Sequence, residues 1–207
     1  MIQTLHGSCA PGTCAVRDNM HRARKRVFVD LLKWDVPVVA GAFERDEFDT
    51  DDAIYLVSAA DDSTHLGSFR FLPTDRPHLL GKLFRDLCDG PVPSGPHILE
   101  ITRGCLSPDL RAAARLRLRN ELISAAVDYA LENDVSAFTC VADSSWLTQI
   151  LSLGWDCQLL GMPKLVGGVA TGALRIRIEP GTIGLLQQAG TYISPGLRGS
   201  ATPPLAA

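Results

Sequence analysis

The chain has 207 residues, 46% of them hydrophobic and 21% charged, with a formal net charge of −3. That length suits one domain with a sizeable core rather than two, and the near-neutral balance supplies no global field for nucleic acid, so any basic patch must be local. No continuous apolar run approaches the roughly 18 residues of a membrane helix, and the opening MIQTLHGSCAPGTC lacks an apolar core of signal-peptide length, which predicts a cytoplasmic protein making no membrane or nucleic-acid contacts.

From Asn19 to Trp34 a helix is predicted, with Met20, Arg24, Phe28 and Leu31 on one face at spacings of four, four and three; Pro37 ends it. FERDEFDTDD reads as a polar loop. AIYLVSA and HLGSFRFLP are strand-like runs separated by Asp61-Asp62-Ser63-Thr64, which predicts an antiparallel hairpin. HLLGKLFRDLC predicts a short amphipathic helix and GPVPSGP a rigid connector. HILEITRGCL is a predicted strand entering a long helix, with Ser107 as N-cap, Pro108 at the first helical position and Asp109 behind it. That helix runs to about Glu132, with Leu118, Leu122, Ala126 and Ala130 as its buried stripe and Asn133 as a left-handed stop. VSAFTCVA reads as a strand, SSWLTQILSLG as a helix stopped by Gly154, WDCQLLG and ATGALRIRIEP as strands, and TIGLLQQA as a short helix. This order predicts an α/β fold in which a mixed sheet carries helices on both faces, a three-layer α-β-α sandwich. Residues 1–193 are expected to form the single domain, and the Pro/Gly-rich tail 194–207 to be flexible.

The six cysteines, Cys9, Cys14, Cys88, Cys105, Cys140 and Cys157, form no C-x-x-C pair, which predicts reduced thiols and neither a zinc site nor a disulfide framework. The five histidines are isolated from one another and read as surface or capping residues, so no metal is expected. H-E-x-x-H, G-x-S-x-G and G-x-G-x-x-G are absent, and Gly81-Lys82 lacks the rest of a P-loop, which disfavours metalloprotease, serine hydrolase and nucleotide kinase.

ILEITRG, residues 98–104, raises a sharper question. Strict alternation places Ile98, Glu100 and Thr102 on one face and Leu99, Ile101 and Arg103 on the other. A bulge between Glu100 and Arg103 brings both to one side and frees backbone N–H groups, and Gly104 makes the distortion cheaper. A lone buried carboxylate needs a cation or a proton, so Glu100 belongs either to a structural ion pair or to a site. Arg24, Arg70, and Asp46 and Asp49 around Phe48 come from other segments and carry charge toward apolar surroundings; convergence on a polar ligand is the functional reading.

Taken in order, Arg24, Phe28, Trp34, Asp46 and Asp49 in ERDEFD, Arg70 in GSFRFLP, Phe84, and Glu100 with Arg103 in LEITRG form a pattern. On these residues the chain, from about Arg24 to Gly154, resembles the acyl-homoserine-lactone synthases, the autoinducer synthases of bacterial quorum sensing. The resemblance implies an α-β-α fold like that of the amino-group N-acetyltransferases. It also implies two substrates and no cofactor: S-adenosylmethionine and an acyl thioester on coenzyme A or acyl carrier protein. The amine is acylated, then the carboxylate attacks the carbon next to sulfonium, closing a lactone and releasing methylthioadenosine.

Residue by residue, the resemblance implies Glu100 as base toward the amine, through water, with a pKa raised by burial. Thr102 and Arg103 mark where freed N–H groups meet the thioester oxyanion. Arg24 and Arg103 hold carboxylate or fix the acidic cluster, Asp46 and Asp49 balance the sulfonium and the arginines, and Arg70 joins the S-adenosylmethionine site. Phe28, Trp34 and Phe84 pack on adenine or on the cation, or simply fill core. Thr139 and Val141 in AFTCVA, with Trp146, line the acyl pocket. Arg111, Arg115 and Arg119, recurring every four residues with Arg117 nearby, form either a solvated face or a docking stripe for an acidic carrier or coenzyme A phosphates, extended by Arg22, Lys25 and Arg26. DSSWLTQIL departs from the commoner family pattern, which has a methionine-glutamate pair there. With Gly161-Met162-Pro163 following, the chain looks more like members that use branched or aromatic acyl-coenzyme A. Alternatives are an N-acyltransferase of the same fold acting on another amine, and a non-catalytic sensor binding S-adenosylmethionine or acyl-coenzyme A.

Overall fold

The structure is a computed structural model in which residues 1–8, 14–194 and 197–198 are described, the last two by backbone only. In chain order the elements are β1 (Ile2–His6), α1 (Cys14–Arg24) running directly into a π-helical stretch (Lys25–Leu31), β2 (Val38–Val39), β3 (Phe43–Glu44), β4 (Ile54–Ala59), β5 (His65–Pro73) and α2 (Leu79–Leu83). They continue as β6 (Ile98–Leu106), α3 (Ala112–Glu132), β7 (Ala137–Asp143), α4 (Ser144–Leu151), β8 (Cys157–Leu159), β9 (Lys164–Val166), β10 (Val169–Arg177), α5 (Thr182–Gln188) and β11 (Leu197–Arg198).

The main sheet has nine strands in the order β11-β1-β4-β5-β6-β7-β10-β8, with β9 also paired to β10, while β2 and β3 form a separate hairpin. It is mixed: β6–β7 and β1–β11 run parallel and the remaining pairs antiparallel. Side-chain alternation along β4 and β5 divides the two cores. Leu56, Phe69 and Phe71 face α3, whose Leu118, Leu122, Ala126 and Ala130 are buried as the periodicity required. Tyr55, Val57 and Leu72 face the opposite way and pack with Val16 and Met20 of α1 and with Phe48. The result is the expected three-layer sandwich. Each fully buried Leu or Phe contributes roughly 1.5–3 kcal/mol, so the sheet is held firmly from both sides.

Local details differ from the sequence reading for identifiable reasons. Leu31 does not share the face of Met20, Arg24 and Phe28: it is exposed, because the π-helical stretch adds a residue per turn and rotates it outward. The segment read as a loop contains β3, and Glu44 in it is fully buried. The long helix begins at Ala112 with Arg111 as N-cap; Ser107, Pro108 and Asp109 form a turn ahead of it, in which Ser107 accepts the Leu110 N–H. The left-handed residue at its far end is Asp134 (φ +55°) rather than Asn133. Cys14 is disulfide-bonded, against the expectation of reduced thiols throughout, while Cys88, Cys105, Cys140 and Cys157 are free. His21, His65 and His78 are buried rather than at the surface. The tail lies mostly outside the described residues, but Leu197 and Arg198 pair with Ile2 and Gln3.

Candidate active site

The site begins with an irregularity in β6. Ser68 pairs with Cys105 and Arg70 with Thr102, so Phe69 alone opposes Arg103 and Gly104. One extra residue is thus inserted in β6, and Arg103 takes a left-handed conformation (φ +50°). A non-glycine residue held there costs about 1 kcal/mol or more. The distortion turns Thr102 and Arg103 to the same side of the sheet, the side covered by α1.

There Arg103 meets two other arginines and three carboxylates. Arg24 donates to Glu44 at 2.5 Å and to both oxygens of Asp49 at 2.8 and 3.0 Å. Arg70 donates to both oxygens of Asp46 at 2.6 and 3.0 Å, sits 2.9 Å from Asp49, and its Nε donates to Thr102 Oγ1 at 2.9 Å. Arg103 bridges Glu44 at 3.0 Å and Asp46 at 2.6 Å. Tyr55 donates to Asp49 at 2.9 Å. Burial alone would push the Asp49 carboxyl upward, but the Arg24 and Arg70 guanidiniums outweigh it and hold that carboxyl far below its ordinary range. His21 Nδ1 lies 2.9 Å from the Glu44 carbonyl and must donate, while burial and then Arg24 push its pKa down to about 4, so the ring is neutral.

Paired planar hydrogen bonds among six opposite charges satisfy one another almost completely. The charges expected to converge therefore do so on each other, as a neutral lattice that fixes the bulge. Glu44 is the member that sequence reading missed; the available signal was the spacing of Glu44, Asp46 and Asp49 within one short segment.

Phe28 and Trp34 stack on the edge of this lattice, with ring centroids 4.8 Å apart and planes 10° from parallel, and the Arg103 guanidinium lies 5.8 Å from the Phe28 centroid. Phe28 is buried, but Trp34 is 43% exposed, leaving an aromatic face open to a ligand. Phe84 lies elsewhere, in a cluster with Leu80, Leu87, Val141 and Leu160.

Glu100 stands apart from the lattice. It is fully buried; Oε1 accepts the Leu80 N–H at 2.9 Å, while Oε2 has no partner. Burial raises its pKa to about 7, against the lowering effect of the Leu80 and Leu79 amides and of Arg70 and Arg103. Across the parallel pairing its register partner is Thr139, whose buried hydroxyl is also unpartnered. The two residues thus place a carboxylate oxygen and a hydroxyl, neither bonded to protein, at paired positions of neighbouring strands, where a polar ligand group or a water finds hydrogen-bonding partners. The β6–β7 pairing ends at Ile101 and Cys140 although β6 continues to Leu106 and β7 to Asp143. The strands cease to pair one residue beyond Glu100, and Val141 is the first residue of β7 past the last pair.

Other expected contacts are dispersed. Trp146 is half-buried in the first turn of α4, where its backbone N–H donates to the carboxylate of Asp143, the N-cap, at 3.1 Å. Arg111 and Arg115 are exposed, Arg115 donating to the Ser107 carbonyl; Arg119 donates to Asn120 and Gln149, and Arg117 to Glu121. The stripe is thus partly committed to local bonds. Two surface clefts, of about 290 and 240 Å³, lie among Arg22, Arg26, His65 and Asp109 and among Phe48, Leu72 and Arg76 respectively; neither is lined by Glu100.

A family model described as autoinducer synthase matches residues 13–180, spanning the lattice, the bulge and the parting strands. The chain belongs to the autoinducer synthase family. The acyl-homoserine-lactone synthase of Ralstonia nicotianae is 29% identical over 178 residues, covering 84% of this chain and 87% of that protein. The isovaleryl-homoserine lactone synthase of Bradyrhizobium diazoefficiens is 27% identical over 172 residues, covering 83% and 77%. Among solved structures, the coenzyme A-dependent acyl-homoserine lactone synthase BjaI, with S-adenosylmethionine and isopentyl-coenzyme A, superposes with a TM-score of 0.87 over 99% of this chain and 95% of that one; at 24% identity this likeness speaks for the fold. This autoinducer synthase is an acyltransferase that forms an acyl-homoserine lactone, and its helices flank the same kind of mixed sheet.

Proposed function

We propose that this autoinducer synthase takes its acyl group from a coenzyme A thioester of a short branched or aromatic acid and passes it to the amine of S-adenosylmethionine, with Glu100 as the proton acceptor. The observation that carries this reading is the unpartnered Glu100 Oε2, buried where β6 and β7 part. An acyl thioester laid into that gap brings its carbonyl carbon toward an amine whose proton passes to Glu100, directly or through one water. The C–N bond forms, the thioester C–S bond breaks, and the thiolate leaving group takes up a proton. The bulge at Thr102 and Arg103 supplies backbone N–H groups for the oxyanion. In the second step the carboxylate of the acylated substrate attacks the carbon beside sulfonium, and methylthioadenosine leaves as a neutral thioether, so no further base is required.

The sulfonium and adenine are assigned to the Phe28–Trp34 face, where an aromatic ring attracts a cation by about 0.5–2 kcal/mol. The lattice of Arg24, Arg70, Arg103, Glu44, Asp46 and Asp49 keeps that face and the bulge in register. Trp34→Ala is expected to raise KM for S-adenosylmethionine roughly 2–30-fold, the equivalent of that range, with a smaller change in unfolding temperature than loss of a core aromatic because the residue is 43% exposed; an unchanged KM removes Trp34 from the substrate site.

The coenzyme A donor is supported by the departure from the methionine-glutamate pattern at DSSWLTQIL and by the likeness to an isovaleryl-homoserine lactone synthase. Arg111, Arg115 and Arg119 then meet the coenzyme A phosphates. Among the described residues no helix is long and apolar enough to cross a membrane, and the reaction is assigned to the cytoplasm, where both substrates are made. The test is thiol release from isovaleryl-coenzyme A in the presence of S-adenosylmethionine, with the lactone and methylthioadenosine identified by mass spectrometry. Lactone formed only from acyl carrier protein overturns the donor assignment, and acylation without methylthioadenosine points to a simple N-acyltransferase.

Activity should rise with pH through an acid limb near 7, because Glu100 must lose its proton to act as a base. The sign for stability is opposite. The folded-state pKa lies above the ordinary value of 4.5, so folding favours the protonated form, and the contribution of this group is lost as pH climbs through about 7.

A further inference from the structure

We propose that His78 and Gly81 form a positioning pair that holds the first turn of α2 against Glu100 and so sets the pH above which Glu100 accepts a proton. The inference rests on the role given to Glu100 above. The Leu80 N–H reaches Glu100 Oε1 at 2.9 Å from 20 residues away in sequence, so the bond depends on where α2 sits. That helix is only five residues long and has no side-chain cap of its own. Short helices are marginal by themselves, so something outside must fix this one.

His78, immediately before it, is suited to do so. Its Nδ1 lies 2.8 Å from the Arg76 carbonyl, which can only accept, so Nδ1 carries hydrogen. The ring is buried and packs against Gly81, where a Cβ would come within 2.7 Å of Cε1 and 2.9 Å of Nε2. The His78 carbonyl accepts the Lys82 N–H at 3.0 Å. The imidazole is therefore clamped between the Arg76 carbonyl and the helix backbone. Glycine inside a helix is unfavourable relative to alanine, and the packed ring supplies the steric reason for it here. Nothing in the reaction uses His78 directly, and its Nε2 has no partner.

The groups facing Glu100 are the Leu79 and Leu80 amides from α2, Arg70 from β5, Arg103 from its own strand, and Thr139 and Cys140 from β7. The two arginines are engaged by Asp46, Asp49 and Glu44. The amides are thus the adjustable contribution. An N–H bonded to the ionised carboxylate favours it; loosening that bond raises the proton affinity of Glu100.

The experiment is the pH profile of kcat/KM for thiol release from isovaleryl-coenzyme A, with unfolding temperatures measured alongside. Gly81→Ala drives the ring off the helix, and its acid limb is expected to move up by about one pH unit, roughly a tenfold loss below the limb. His78→Asn combined with Gly81→Ala removes the ring while keeping an N–H for the Arg76 carbonyl, and should bring the limb back toward wild type. If Gly81→Ala does not fold, His78→Phe, which keeps a ring and drops the bond to Arg76, should show the same upward shift. An unmoved limb in the single variant that folds, when Glu100→Gln abolishes the limb, overturns the positioning role and leaves Glu100 as the base. A limb that survives in Glu100→Gln overturns the assignment of the base itself, and the pair with it.

Discussion

Glu100→Gln is expected to bind S-adenosylmethionine as the wild type does and to lose turnover by about 10²–10⁴-fold, the range a positioned general base supplies. Glutamine preserves volume and still accepts the Leu80 N–H through its amide oxygen, so α2 keeps its partner. What it cannot do is take a proton at the position of Oε2, the unpartnered atom. Because the carboxyl is already largely protonated below about pH 7, removing its titration costs the fold little and should stabilise it at higher pH. Loss of turnover with retained binding and an unimpaired unfolding temperature is therefore the specific signature. Full activity in this variant would remove Glu100 from the chemistry, and lost binding would mean that it serves the substrate site rather than the proton.

Arg24→Leu is expected to do the reverse, damaging the fold before the chemistry. Arg24 is almost wholly buried and bonds Glu44 and both oxygens of Asp49. A leucine there leaves two carboxylates facing each other without their main counter-charge. Breaking one partner out of a buried pair costs about 3–5 kcal/mol, against a total stability of about 5–15 kcal/mol for a domain. Denaturant unfolding should show a lost or strongly lowered midpoint, partly recovered at low pH where the carboxylates protonate. Arg26→Leu is the control on the same helix: its pair with Asp109 is solvent-exposed, with side chains 52% and 67% accessible, and solvent screens it. Similar midpoints for the two variants would mean that the lattice does not hold the bulge.

The two variants separate what the local chain dictates from what the fold assembles. Alternation along AIYLVSA and HLGSFRFLP, the apolar stripe Leu118, Leu122, Ala126, Ala130, and the Asp-rich turn between two strand runs each act within a few residues, and the hairpin, the long helix and the layered sheet followed from them. Even the bulge was legible, because Glu100 and Arg103 in one apolar strand are incompatible with strict alternation unless a residue is inserted. The helix onset at Ala112 was not, since Ser107, Pro108 and Asp109 suit a turn as well as a cap, and β6 continues to Leu106 before the chain can turn. Leu31 escaped because helical spacing assumes 3.6 residues per turn, and a π-helical stretch breaks that count.

Partner choice belonged to the tertiary structure alone. Composition and spacing showed that arginines and carboxylates from separate segments were headed for apolar surroundings, a consequence of the cost of burying charge, which any residue pattern makes visible. They did not show that Arg103 would take Glu44, 59 residues away, and Asp46, leaving Glu100 with an amide from α2 and one oxygen that no protein group bonds. Buried charges settle with whichever counter-charges the packed layers bring within hydrogen-bonding distance. That proximity is a property of strand order and helix placement across the whole sheet, carried by no short stretch of chain.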